Sequence, residues 1–141
     1  FSGDHLRRAA GAFLGILGNA AEEYLGVGYR ADAEGQPFHG AAKYTITFPP
    51  DGLPPVDAFW SITVYGNDGY MKSDFNIVNS STVKLDADGR FTVYFGSRET
   101  CGDKSNRLDT SEGWNYILRI YRPGPSVLDE SYKLPVPAPV G

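Results

Sequence analysis

The sequence predicts a mainly β chain, a jelly-roll-like antiparallel β-sandwich with one N-terminal α-helix. Three observations carry that expectation. Six to eight short apolar runs are separated by turn residues, and the clearest of them alternate between apolar and polar positions. The 10 Pro and 17 Gly fall between those runs, as punctuation, rather than in one low-complexity tract. A helical period is found once, near the start of the chain. The length, 141 residues, fits a single domain over 1–141. Its parts are a helix over 1–23, a β core over 24–134 and a Pro-rich tail over 135–141.

The helix rests on Leu6, Ala10, Phe13, Leu17 and Ala21, which recur at spacings of three and four. Ser2 suits its N-cap and Asp4 its positive end. Gly11 and Gly15 lie one turn apart beside Phe13 and let another backbone approach closely. These three residues are the candidate partner contact, with packing on the chain's own sheet as the plainer reading.

After Gly26 the period changes. Residues 24–30 read as a short strand, and 32–35 as a turn. Residues 43–48 alternate, with Tyr44, Ile46 and Phe48 on one face. The prolines at 49, 50, 54 and 55 end that strand, because Pro cannot donate to a ladder. Residues 56–65 are the densest signal. Val56, Ala58, Trp60, Ile62 and Val64 share one face, while Asp57, Phe59, Ser61, Thr63 and Tyr65 share the other. Trp60 is therefore assigned to the core and Phe59 to the opposite, binding-competent face. Residues 82–85 and 91–95, joined by Asp86-Ala87-Asp88-Gly89, carry a hairpin signature. Residues 97–113 read as a long polar loop, 115–121 as the last long strand, 126–129 as one helical turn and the tail as extended.

Net charge is −4 with no basic patch, which argues against nucleic acid. No run reaches the ~18 apolar residues of a membrane span. The single cysteine, Cys101, cannot form an intrachain disulfide, and no neighbour activates it. The two histidines, His5 and His39, have no second ligand at metal spacing, so neither a metal nor a cofactor is expected. There is no GxSxG elbow and no phosphate-binding glycine motif. Glu99, Asp103, Asp109 and Glu112 share one loop, but solvated acidic loops are far commoner than carboxylate pairs for glycoside hydrolysis or Ca²⁺ cages.

KYTITFPPDGLPPVDAFWSITVYGNDGY, LDADGRFTVYF and WNYILRIYRPGPSVLDESYKLP together resemble DUF1214, a bacterial domain family of unknown function. The LPPVDAFWS tract is the specific part. The resemblance implies a jelly-roll-like β fold, a frequent companion domain (DUF1254) on the N-terminal side in longer members, and export to the periplasm. The start at Phe1 rather than Met points the same way, to a processed product or a fragment. The family carries no agreed catalytic residues, so none is transferred. The chain departs from the family pattern at residues 37–40 and 106–111.

The candidate ligand site is the outward sheet face, with Phe59, Tyr65, Tyr94, Arg119 and Tyr121. Aromatic, hydroxyl and guanidinium groups together suit stacking and directional hydrogen bonds to sugars or anions. The expected function is a noncatalytic binding or assembly module, an accessory subunit of a larger complex. Its partner is a protein or a small-molecule ligand. The competing expectation is a hydrolase or lyase-like enzyme using Arg119, the tyrosines and loop carboxylates.

Overall fold

A computed structural model of the chain describes residues 5–7, 9 and 20–140. Residues 5–7 and 9 are helical, but most of the expected N-terminal helix, including Gly11, Phe13 and Gly15, lies outside the described residues. The helix was expected to run on to Glu23. Residues 21–23 instead form a turn, closed by the Glu23 and Tyr24 N–H groups on the Ala20 carbonyl at 2.9 and 3.1 Å. The neighbouring sheet decides this, because the Glu23 carbonyl accepts from Arg122 N–H at 2.9 Å.

Eight strands follow: β1 (Tyr24–Tyr29), β2 (Lys43–Phe48), β3 (Val56–Tyr65), β4 (Ile77–Asn79), β5 (Phe91–Phe95), β6 (Arg107–Leu108), β7 (Asn115–Pro123) and β8 (Ala138–Val140). Two single-turn helices, α1 (Arg98–Cys101) and α2 (Pro125–Leu128), interrupt them. The strands form two four-stranded sheets, ordered β1-β7-β3-β4 and β6-β5-β2-β8. Pairing is antiparallel except between β5 and β6, so the second sheet is mixed and the expectation of wholly antiparallel sheets is corrected. The cause is the connection. After β5 the chain turns through α1 and returns, so β6 runs beside β5 in the same direction.

The buried apolar side chains of the two sheets, from Tyr44 and Phe91 to Trp60 and Ile120, belong to one hydrophobic cluster. Aromatic rings join the sheets. Trp60 on β3 stacks on Phe91 of β5 at 5.1 Å between centroids, and Phe95 of β5 meets Tyr116 of β7 at 5.1 Å. Trp114 stacks on Phe38 at 4.2 Å and on Phe95 at 5.1 Å, which closes one end of the cluster. Each such ring removes a large apolar area from water, worth roughly 1.5–3 kcal/mol for a side chain the size of Phe. Trp60 is buried, as its strand pattern predicts. Ala58 is exposed rather than buried, because the β3–β7 register shifts between Val56 and Phe59 and breaks the alternation there.

Three further sequence expectations change. The turn at 86–89 forms, with Asp86 N–H on the Arg90 carbonyl at 2.7 Å and Gly89 at φ 86°. Residues 82–85, however, make no strand. Both edges of β5 are already taken by β2 and β6, and Lys84 bonds instead to the Asn106 side chain. The loop expected over 97–113 contains α1, capped by the Ser97 hydroxyl accepting from Thr100 N–H at 3.2 Å, and then β6. The extended tail adds β8 to the edge of β2. Among the described residues, no helix is long and apolar enough to cross a membrane.

Candidate functional site

β7 runs through the middle of the first sheet. Tyr116, Leu118 and Ile120 face the core, which leaves Asn115, Ile117, Arg119 and Tyr121 on the outer face. The antiparallel register then fixes their neighbours. Tyr121 lies between Tyr24 of β1 and Phe59 of β3, and Arg119 lies between Gly26 and Ser61. The Phe59 and Tyr121 rings stack at 4.2 Å, and Tyr24 packs on Tyr121 at 5.2 Å.

Arg119 is half-buried at the centre of this face. Its Nη2 donates to the Tyr65 hydroxyl at 2.6 Å, and its guanidinium carbon lies 5.5 Å from the Tyr65 ring centroid. Burial draws the Arg119 pKa down. The Tyr65 hydrogen bond and the electrostatic influence of Tyr65, Tyr24 and Tyr121 outweigh it, so the pKa ends above the ordinary arginine value. The group is a permanent cation. Among the described residues no carboxylate lies within 4 Å of it, and its polar partner is the Tyr65 hydroxyl. Phe59, the apolar edge of the site, is 43% exposed, whereas Ser61 and Thr63 beside it are buried.

The structure thus brings Phe59, Tyr65, Arg119 and Tyr121 together. It does not bring Tyr94 with them. Tyr94 lies on β5 in the second sheet, opposite Thr45, with the ammonium groups of Lys43 and Lys104 each 5.8 Å from its ring centroid. Alternation placed Tyr94 correctly on an outward face, but strand order put that face on the other sheet.

Tyr24 and Gly26 complete the site and were missed from the sequence. A Cβ on Gly26 would meet the Tyr24 hydroxyl at 2.5 Å, so the missing side chain at 26 is what lets the Tyr24 ring fold across β1 towards Arg119. A glycine within an otherwise β-prone run was the available signal.

The acidic loop is dispersed. Asp103 pairs with Arg98 at 2.6 Å, Glu112 accepts from Gly40 N–H at 3.4 Å, and Asp109 accepts from Ser73 and Arg107. Burial pushes the Asp109 pKa up, but those two hydrogen bonds bring it below the usual carboxylate value. Among the described residues, no group of three or more His, Cys, Asp or Glu is placed to hold a metal ion. Cys101 is buried next to the Thr100 hydroxyl at 3.8 Å, and no hydrogen bond joins it to His39.

The fold and parts of the sequence are shared with other proteins. The VPA0106 protein from Vibrio parahaemolyticus superposes with a TM-score of 0.79 at 28% identity, over 94% of this chain and 34% of that one. An uncharacterized protein from Burkholderia cenocepacia superposes with a TM-score of 0.55 at 18% identity, over 87% of this chain and 30% of that one, and shares the fold alone. The chain therefore spans about a third of the length of these solved relatives. No curated protein matches it. The family model described as "Protein of unknown function (DUF1214)" matches residues 23–125, which include every strand from β1 to β7 and the whole Arg119 face. The chain belongs to the DUF1214 family.

Proposed function

We propose that this chain is a noncatalytic β-sandwich binding module of jelly-roll type, and that the Arg119 face is its contact surface. The sandwich reading draws support from two four-stranded sheets sharing one buried cluster, with the chain passing repeatedly between them. The binding reading is carried by one observation. Arg119 is a half-buried cation bonded to the Tyr65 hydroxyl, and it sits beside an exposed aromatic ring. A half-buried guanidinium with no counter-ion is only partly solvated, and an anionic ligand would supply the partner it lacks. Phe59 and Tyr121 offer a stacking surface next to the charge.

The outer-face positions in register on β1, β7 and β3 include no carboxylate, histidine or thiol among the described residues, and the exposed Asp57 lies in the register shift before Phe59. That face supplies a fixed cation and hydroxyls rather than a general base, which supports binding over catalysis. The accessory-subunit role, the partner contact through Gly11, Phe13 and Gly15, and a periplasmic location belong to the same proposal. They rest on the sequence and the family resemblance.

Native mass spectrometry of the protein from its source, beside Arg119→Gln and Phe59→Ala variants, tests this reading. A retained molecule or partner chain that both substitutions release supports it. Retention unchanged by both substitutions overturns it. Turnover of the retained molecule that Arg119→Gln abolishes replaces it with the enzyme reading.

A further inference from the structure

We propose a second site, on the other sheet. The cavity between Tyr94 and residues 103–106 binds a phosphate-type oxyanion, carried on a small sugar or polyol, through Lys84 and Lys104. The cavity measures about 330 Å³, and its lining includes Lys84, Asp86, Tyr94, Lys104 and Ser105. A second hollow of about 290 Å³, lined in part by Arg98 and Arg107, shares Asp103, Lys104 and Asn106 with it.

The charges are arranged unevenly. Asp103 is taken by Arg98 at 2.6 Å, and Asp109 by Arg107. Lys84 and Lys104 in the lining, and Lys43 outside it, are left over. Among the described residues no carboxylate lies within 4 Å of any of them. The Lys43 and Lys104 ammonium groups each lie 5.8 Å from the Tyr94 ring centroid, and Lys104 is the one that lines the cavity. Ring attraction holds the Lys104 ammonium beside Tyr94 in the cavity lining, where an oxyanion shared with Lys84 gains charge-assisted hydrogen bonds. The protein carries net −4, yet among the unpaired side chains of this lining the two lysines outnumber the one carboxylate, Asp86.

The frame around the cavity is rigid. Asn106, at φ 59°, accepts from Lys84 N–H through Oδ1 at 2.8 Å and donates through Nδ2 to the Lys84 and Thr92 carbonyls at 2.8 and 3.2 Å. Its own carbonyl accepts from Tyr94 N–H at 3.1 Å. The backbones bearing Lys84 and Tyr94 are therefore locked to the segment that carries Lys104, which reduces the ordering cost of binding. Asp86 and Ser105 set the rest of the ligand. A carboxylate beside the lysines repels a bare anion but accepts from a hydroxyl, so a phosphate ester of a polyol satisfies both halves of the lining.

The test is titration of the 141-residue protein with glucose 6-phosphate, inorganic phosphate and glucose, followed by amide chemical shifts. The expected result is saturable binding of glucose 6-phosphate with shifts at Lys84, Tyr94, Lys104 and Ser105. Binding should weaken as salt rises. Lys84→Gln and Lys104→Gln should each weaken it about tenfold, the value of one charged hydrogen bond. Arg119→Gln, on the other sheet, should leave it unchanged, so this site and the Arg119 face stand or fall separately. Inorganic phosphate binding as tightly as the ester would make the free ion the ligand, and weaker binding would assign the polyol to Asp86. Absence of saturation by either phosphate up to about 10 mM overturns the proposal. So do shifts confined to the Arg119 face, and so does binding that survives both lysine substitutions.

Discussion

Replacing Tyr65 by Phe isolates one bond at the centre of the Arg119 face. The ring stays, and with it the 5.5 Å contact to the guanidinium; only the hydroxyl that accepts from Arg119 at 2.6 Å is lost. A hydrogen bond to a charged group contributes about 1.5–3 kcal/mol. Arg119 and Tyr65 are only part-buried, so water takes over some of that interaction, and the expected loss is about 1 kcal/mol. For a domain of this length, an unfolding entropy of about 2.1 cal/mol/K per residue makes that a fall in Tm of about 3 °C. Urea unfolding of Tyr65→Phe, Arg119→Met and the double variant closes a cycle. The coupling energy should be about 1 kcal/mol, with Arg119→Met the more costly single change because it also removes the cation–π contact. A coupling below about 0.3 kcal/mol, the level seen for independent sites, would refute the claim that Tyr65 positions Arg119.

Gly26→Ala should displace the Tyr24 ring from above β1, since the new Cβ would meet the Tyr24 hydroxyl at 2.5 Å. Nuclear Overhauser contacts between Tyr24 and Tyr121 should weaken, at a cost in stability of about 1 kcal/mol or less, because the end of a flexible side chain is what must move. Asn106→Ala removes the bonds to Lys84 and Thr92 and places an alanine at φ 59°; it should cost roughly 2–4 kcal/mol by denaturant titration, with Asn106→Gly recovering the backbone part. The Asp109 pKa lies below its unfolded value, so its contribution is complete above about pH 4 and is lost as pH falls through the folded value. Acid titration of stability should therefore be less steep below pH 4 in Asp109→Asn. Tyr132, pushed up to about 12 by burial, donates to the Gly52 carbonyl at 2.7 Å. The unfolded phenol ionises near pH 10, so stability should decline from about pH 10 towards pH 12, and Tyr132→Phe should flatten that decline.

Much of the fold was legible because it depends on local rules. Alternation over 43–48, 56–65, 91–95 and 115–121 placed Tyr44, Trp60, Phe91 and Tyr116 in the core, where they are. Turn chemistry located Gly35 and Gly89, both at positive φ. The expected hairpin failed because pairing is a competition between strands. Residues 82–85 have the right partner next to them in sequence, but β2 and β6 already occupy the edges of β5.

The candidate site divides along the same line. The sequence by itself determined that Phe59, Tyr65, Arg119 and Tyr121 point away from the core, because a period of two assigns each residue to a face. It also determined the family, through the LPPVDAFWS tract and its companions. It could not determine which strands lie side by side. That choice depends on contacts between residues far apart in the chain, such as Tyr24 with Tyr121 and Ser61 with Arg119, whose energies do not show in either segment alone. Only the tertiary structure placed β7 between β1 and β3, closed the aromatic face around Arg119, and set Tyr94 among lysines on the opposite sheet.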